Sequence, residues 1–200
     1  GYDMTEQGLL KMLDMSGTAD FQQNFEELNI IPMSISYEIE PCDILKAREI
    51  VISRTQKYVK APGEDWNSIM VGIMQQKGNI HLHIGEPLTS EEIAAAAQCD
   101  KNDRYQLIRH AVDQRVVDGY KLWKNNYVAY DIANQSYKYS HLYEPADVEA
   151  FVTYMEHQLD TVEPEVNRED LRRIFIDIYA NPVFTKELLA KERRTGNILL

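Results

Sequence analysis

The spacing of apolar residues predicts two short strands among a larger number of helices. From Met33 to Glu40, apolar and polar residues alternate strictly, which is typical of a strand whose two faces differ. Residues 79–85 alternate in the same way, with isoleucine and leucine opposite His81 and His83. Everything after about residue 90 has the three-to-four-residue spacing of helices.

Helices are also predicted between the two strands and directly after the second. One should begin after Pro41 and reach about residue 60. The next carries five apolar residues at helical spacing: Trp66, Ile69, Met70, Ile73 and Met74. Thr89 and Glu92 have the spacing of a capping box, which predicts another helix start. Prolines should separate the later helices, at Pro145, Pro164 and Pro182.

Because helices lie between and after the strands, the order of elements resembles the βαβ units of a parallel sheet covered on both faces. The predicted fold is therefore α/β, with two parallel strands in residues 1–95 and a helical extension in residues 96–200. Two strands alone do not make a stable sheet in water. We expect the missing strands to come from a partner chain or from a longer protein of which this chain is a piece; the second explanation is simpler.

Composition excludes some classes of function. The chain carries 32 Asp and Glu residues against 21 Lys and Arg, a net charge of −11. Such a surface repels nucleic acid and anionic lipid over most of its area, so we expect no nucleic-acid partner. The two cysteines, Cys42 and Cys99, are too few for a disulfide framework and fit a reducing compartment. No run approaches the roughly 18 apolar residues of a spanning helix, and a cytoplasmic location is expected.

Two segments resemble a known family. Residues 29–37, Asn-Ile-Ile-Pro-Met-Ser-Ile-Ser-Tyr, resemble the fourth conserved block of the lysophospholipid and glycerol-phosphate acyltransferases. Residues 77–88, Lys-Gly-Asn-Ile-His-Leu-His-Ile-Gly-Glu-Pro-Leu, resemble the segment that follows that block in the same family. The helical remainder resembles the C-terminal extension of a bacterial branch of these enzymes.

The resemblance implies a second half of an acyltransferase-type α/β domain, in which Pro32, Ser34 and Ser36 contribute to the substrate site. The parent protein would move an acyl group from acyl-CoA or acyl-carrier protein to a glycerolipid-type or related hydroxyl acceptor. It would need no cofactor, and it could touch the inner membrane face peripherally.

The chain departs from that family in its catalytic residues. The family uses a His-x4-Asp motif, in which histidine is the general base and aspartate orients it. None of the five histidines has an Asp five residues later, and the phosphate-binding motif is missing too. We therefore expect both motifs upstream of Gly1, no catalytic residue within the chain, and no activity of the chain alone.

Each candidate residue also has a plainer interpretation. Ser34 and Ser36 are small residues that could face a covering helix or solvent, and Pro32 fits an edge strand. His81 and His83 have a spacing that could hold a metal, but a solvated polar face is the stronger interpretation, and no metal site is predicted.

Other features keep a second class of function open. His110 and Asp113 are predicted to be a surface pair, not a base and its orienter. Tyr120, Trp123, Tyr127 and Tyr130 favour core or interface packing over a membrane anchor. The alternative function is a non-catalytic helical interaction or scaffold protein that homodimerises through its strands, and in either case exposed strand edges predict self-association.

Overall fold

The computed structural model of the protein describes residues 4–17 and 20–196. Of these residues, 64% are helical. In order, the elements are α1 (Gln7–Ser16), α2 (Phe21–Leu28), β1 (Met33–Tyr37), α3 (Asp43–Thr55), α4 (Glu64–Met74), β2 (Ile80–Ile84), α5 (Ser90–Ala97), α6 (Asp103–Asp118), α7 (Lys124–Asn134), α8 (Pro145–Leu159) and α9 (Arg168–Thr195). A short 3₁₀ turn, Ser140–Leu142, precedes α8.

Side-chain caps fix several of the predicted helix starts. The Thr89 hydroxyl accepts a hydrogen bond from the Glu92 N–H at 3.2 Å, and the Glu92 carboxylate accepts one from the Thr89 N–H at 2.8 Å. This is the predicted capping box, and it begins α5. Asp20 caps α2 by accepting a hydrogen bond from the Gln23 N–H at 3.0 Å. Such caps satisfy N–H groups that have no partner within the helix.

The two strands run antiparallel, so the predicted α/β fold with parallel strands is wrong; the chain has a helix-rich fold with a two-stranded sheet. The Gly85 N–H donates to the Pro32 carbonyl, and the Glu38 N–H donates to the Asn79 carbonyl, each at 2.9 Å. The connection between the strands contains two helices, α3 and α4, instead of the single helix of a βαβ unit. Because the end of β1 pairs with the start of β2, at Glu38 and Asn79, this connection leaves and rejoins the sheet at the same end, as in an antiparallel pair.

Gly78 makes the end of the strand pairing irregular. Glu38 pairs with Asn79, but the Ile39 N–H donates to the Lys77 carbonyl at 3.0 Å, so that Gly78 is bulged out of the ladder. Its φ of 62° lies in the left-handed region, which favours glycine. A Cβ at this position would also lie 2.6 Å from a carboxylate oxygen of Glu38. Backbone conformation and space both require glycine here.

The described chain divides into two compact units, each made of separate segments. Unit 1 comprises Ser36–His81 and Lys121–Phe184, and unit 2 comprises residues 4–17, 20–35, 82–120 and 185–196. Each unit thus contains residues from both sides of the boundary predicted near residue 95. The two strands and α9 each continue from one unit into the other.

Each unit has its own apolar core. In unit 1, Phe151, Phe175 and Tyr179 pack with ring centroids 5.2 to 6.4 Å apart, among buried aliphatic residues of α3 and α7. In unit 2, Phe25 is fully buried, and it packs with apolar residues of α1, α5 and α6. Both cores are built from the predicted helix stripes, because side chains three and four residues apart share one face.

Pro182 does not separate two helices, contrary to the prediction from its position. It lies inside α9, which continues to Thr195. Proline has no N–H to donate to the carbonyl four residues earlier, and its ring disfavours a straight helix. Tyr179 and Val183 on either side of it are both buried in the core of unit 1. Their packing stabilises the helical backbone against the missing hydrogen bond.

Asp131 makes the stability of unit 1 depend on pH. This buried carboxylate accepts hydrogen bonds from the Ser136 hydroxyl at 2.5 Å, the Tyr139 N–H at 2.9 Å and the Tyr143 hydroxyl at 2.9 Å. Burial alone would raise the pKa of Asp131, but the hydrogen bonds together hold that pKa below its ordinary value. A depressed pKa stabilises the fold above the ordinary value, and this stabilisation is lost as the pH falls through the folded-state pKa.

We therefore expect Asp131→Asn to lose stability at neutral pH and to flatten the decline that the unaltered protein shows below about pH 5. Urea unfolding at a series of pH values measures both effects. Tyr143→Phe, which removes one of these hydrogen bonds, should reduce the decline only in part. Parallel stability curves for the protein and Asp131→Asn would contradict the assignment.

Candidate functional site

The sheet covers its polar face and exposes its apolar face, which is the opposite of the usual arrangement of a strand with two different faces. In the observed register Ser34 lies opposite His83 and Ile35 lies opposite Leu82. Ser34 is only 6% exposed, whereas Ile35 is 52% exposed. The polar face is therefore covered, and the apolar face is open.

The structure places the three predicted site residues along β1 or at its entry. Pro32 is buried and lies directly before β1, opposite Gly85. The Gly85 N–H donates to its carbonyl, but proline has no N–H to return the second hydrogen bond of that pair, so the ladder ends there. Ser34 belongs to unit 2, and its hydroxyl is buried with no hydrogen-bond partner among the described residues. Ser36, in unit 1, is half-buried, and its hydroxyl accepts a hydrogen bond from the Lys121 N–H at 3.0 Å.

Gly119, at the end of α6, covers Ser34 closely. A Cβ at Gly119 would lie 2.4 Å from both the Ser34 Oγ and the His83 Cδ2. No real side chain fits into such a gap without a shift of its neighbours. Ser34 is therefore a small residue beneath a close backbone approach.

The open face of the sheet in unit 2 consists of four large apolar side chains. Between 52% and 63% of each is exposed, and they are Met33, Ile35, Leu82 and Ile84. We call this set the outer sheet face. Among the described residues each strand pairs only with the other, so each also has an unpaired edge. A contiguous apolar face beside free backbone donors and acceptors is typical of a surface that binds another polypeptide.

The histidines differ from their predicted settings. His81 and His83 are half-buried on the covered face, not on a solvated one. Asp113 is buried and accepts hydrogen bonds from the Thr5 N–H at 2.9 Å and the Thr5 hydroxyl at 2.7 Å, so it is not a surface residue. The His110 Nε2 lies 2.7 Å from a carboxylate oxygen of Glu192. Within residues 4–17 and 20–196, no group of three His, Cys, Asp or Glu side chains could hold a metal ion.

A second polar cluster lies in unit 1 around Asp43, the first residue of α3. Asp43 is fully buried, and one of its carboxylate oxygens accepts hydrogen bonds from the Tyr154 hydroxyl at 2.8 Å and the Tyr179 hydroxyl at 2.7 Å. The Ile44 N–H donates to the other oxygen at 2.7 Å. The Tyr179 hydroxyl in turn accepts a hydrogen bond from the Glu40 N–H at 3.1 Å.

Gln75, at the end of α4, closes this network. Its amide oxygen accepts from the Cys42 N–H at 2.8 Å, and its amide nitrogen donates to the Tyr154 hydroxyl at 3.1 Å. Cys42 has a φ of 59°, a conformation that a non-glycine residue adopts only when its surroundings hold it. The network therefore joins the start of α3 and the end of α4 to the interiors of α8 and α9, around one strained turn.

The network keeps both tyrosines protonated. Burial, followed by the charge of Asp43, raises the pKa of Tyr154 and of Tyr179 well above the ordinary value for tyrosine. Each hydroxyl therefore remains a hydrogen-bond donor to the carboxylate at all ordinary pH values. Every oxygen of the cluster has a partner, so its arrangement favours a structural role over one in proton transfer.

Sequence reasoning identified the turn before α3 but not this cluster. Asp43 lies 111 residues from Tyr154 and 136 residues from Tyr179 along the chain, so no local spacing indicated the contacts. The available signal was the Pro-Cys-Asp turn itself, since an acidic residue in the first turn of a helix is favoured there.

Comparison with known proteins does not assign the chain to a family. No family model matches it, and neither a curated protein nor a solved structure matches it. Of the helices described, none combines the length and the apolar character that crossing a bilayer requires.

Proposed function

We propose that the chain is a non-catalytic part of an acyltransferase of the lysophospholipid and glycerol-phosphate type. Its two resembling segments, residues 29–37 and 77–88, contain β1 and β2, which are hydrogen-bonded neighbours. Segments that share a substrate site must lie close together in space, and this adjacency supports the proposal. The His-x4-Asp pair would come from polypeptide outside these 200 residues.

The outer sheet face is the observation that carries the proposal furthest. Four aliphatic side chains exposed together cost free energy in water, at about 25 cal/mol for each Å² of apolar surface. Further polypeptide of the parent protein, packed on the outer sheet face, would remove the free-energy cost of exposing these side chains.

The gene upstream of the codon for Gly1 tests this proposal directly. We expect a His-x4-Asp pair there, followed by a glycine- and arginine-containing phosphate motif. In the protein encoded by the whole reading frame, release of thiol from acyl-CoA should require that histidine, since losing a general base costs at least about 100-fold. The 200-residue chain alone should release no thiol above a buffer blank. A reading frame without the pair would overturn the proposal.

A homodimeric scaffold is the second candidate, because the same face and the unpaired edges of an antiparallel sheet suit a second copy. A two-fold axis would place one outer sheet face against its equal. Sedimentation at micromolar concentration should then show a dimer that Ile35→Asp converts to monomer, whereas Met12→Asp on α1 should not. A dimer together with no upstream catalytic motif would favour the scaffold over the acyltransferase.

A further inference from the structure

One edge of β2 has no partner strand. Asn79 and Gly85 are both hydrogen-bonded to β1, so every second residue between them points its N–H and C=O groups towards that strand. The residues in between point theirs the other way, along the open edge. They are Ile80, Leu82 and Ile84. Within the described part of the chain β2 pairs with β1 only, so these backbone groups are available to another polypeptide.

The sequence of β2 is the same in both directions. It is Ile-His-Leu-His-Ile, with Leu82 at its centre. In a second copy turned about a two-fold axis at Leu82, that leucine faces its own equivalent. On either side of the axis, histidine faces histidine and isoleucine faces isoleucine. The N–H and C=O groups of Leu82 then meet the same groups of the other copy, as in a hydrogen-bonded antiparallel pair. The open edge is thus complementary to itself in side chains and in backbone groups.

The open edge of β2 lacks the features that normally prevent pairing. Soluble proteins block an exposed edge strand with a charged residue, a proline or a bulge. No Asp, Glu, Lys, Arg or Pro occurs from residue 78 to residue 85. The bulge at Gly78 precedes β2 and leaves Ile80–Ile84 regular. More than half of each aliphatic side chain of the strand is exposed as well. A second strand can therefore approach this edge without burying a charge.

The open edge of β1 is less suited to a partner. The Lys121 N–H donates to the Ser36 hydroxyl at 3.0 Å, and the Asn125 side chain donates to the Glu38 carbonyl at 2.8 Å. The residues that begin α7 therefore contact the second half of β1. Tyr37, the last residue of the strand, is half-buried. Of the two open edges, the one on β2 is the longer and the more accessible.

We propose that two copies of the chain pair through β2, antiparallel about a two-fold axis at Leu82, and so form one sheet with the strand order β1-β2-β2-β1. Leu82 of each copy supplies a central hydrogen bond, and Ile80 and Ile84 supply those on either side. A sheet needs three or more strands for stability in water, and the second copy provides them. The pairing requires no acyl-transfer activity. In contrast to a face-to-face dimer, it leaves the two outer sheet faces side by side.

Leu82 and Ile35 are matched positions for a test by sedimentation. They lie opposite one another on the same face of the sheet, and each is 52% exposed. In the proposed dimer the two copies of Leu82 are adjacent, whereas the two copies of Ile35 are three strand spacings apart, about 14 Å. Leu82→Lys puts like charges directly opposite each other and should raise the dissociation constant of the dimer at least about tenfold. Ile35→Lys should leave that constant unchanged at physiological salt, which screens charges at such a distance.

Amide hydrogen exchange tests the hydrogen bonds themselves. In the unaltered protein the Leu82 amide should exchange rapidly at low protein concentration and become protected as the dimer forms. The Ile35 amide, on the open edge of β1, should exchange rapidly at every concentration. Leu82→Pro removes the central N–H without removing a hydrogen bond to β1, and it should weaken the dimer as Leu82→Lys does. Circular dichroism melts of the two lysine variants at low concentration should coincide with that of the unaltered protein, because both positions are exposed.

Several outcomes would overturn the proposal. A monomer at micromolar concentration would do so, and so would a dimer that Leu82→Lys leaves intact or in which the Leu82 amide stays unprotected. If both lysine variants dissociate the dimer, its interface is the outer sheet face. If only Ile35→Lys dissociates it, the paired edge is that of β1.

Discussion

Asp43→Ala should lower the free energy of unfolding of unit 1 by about 3–5 kcal/mol, because two hydrogen bonds to a charged group are each worth about 1.5–3 kcal/mol. The substitution leaves the hydroxyls of Tyr154 and Tyr179 and the Ile44 N–H facing no acceptor in a buried place. It also removes an acceptor of the Gln75 amide, 3.5 Å away, and Gln75 is the residue that holds the Cys42 N–H. Urea unfolding followed by circular dichroism measures the loss.

Matched substitutions distinguish the stability that the Asp43 hydrogen bonds contribute from a general effect of removing a charged side chain. Glu49→Ala, on an exposed position of the same helix, should change stability by less than about 0.5 kcal/mol. Tyr179→Phe should cost about 1.5–3 kcal/mol in the unaltered protein and much less in the Asp43→Ala background, because the acceptor is already gone. An equal cost of Tyr179→Phe in both backgrounds would mean that the carboxylate and the hydroxyl do not stabilise one another.

Ser34→Leu should cost about 1–3 kcal/mol or more, because the larger side chain must fit between His83 and Gly119 in a place that is already close-packed. Ile35→Ala, one residue along the strand, should cost less than about 1 kcal/mol, because half of that side chain already lies in water. Chemical denaturation of both variants at low protein concentration makes the comparison.

The opposite result would also be informative. If Ile35→Ala costs as much as a core substitution, about 2–5 kcal/mol, the outer sheet face must be covered in solution. A dependence of that cost on protein concentration would assign the cover to a second copy. A large cost that is independent of concentration would contradict the exposure of Ile35.

The sequence predicted the elements better than their arrangement. The capping box of Thr89 and Glu92 and the strand at residues 33–37 depend on neighbours along the chain, and both are present. The direction of β2 depends on whether the chain returns to the end of the sheet that it left, and the two helices predicted between the strands did not indicate this. Pro182 was misjudged because the packing of Tyr179 and Val183, which is not visible in a local pattern, outweighs one lost hydrogen bond.

For the candidate site too, the sequence indicated local groupings but not the contacts between segments that are far apart along the chain. Alternation in β1 correctly grouped Ser34 with Ser36 and separated both from Ile35, because strand side chains point to alternate faces. It could not tell which face would be covered, since that depends on Gly119, which lies 85 residues after Ser34 in the sequence. The apolar residues of α4, from Trp66 to Met74, were visible as a helical pattern, but periodicity alone predicts a core-facing stripe as readily as an exposed one.

The discontinuous units have a consequence for synthesis on the ribosome. The core of unit 1 begins at Ile44 and is completed only by Val183, so α3 must wait for most of the chain to emerge before it can pack. The core of unit 2 is complete once Val112 has emerged. At about 5–20 residues per second, α3 stays unpacked for about 7–28 seconds, and Phe151 stays uncovered for about 2–6 seconds. That interval is when a chaperone would protect this protein from aggregation. A cut at any position between residues 36 and 184 divides both units.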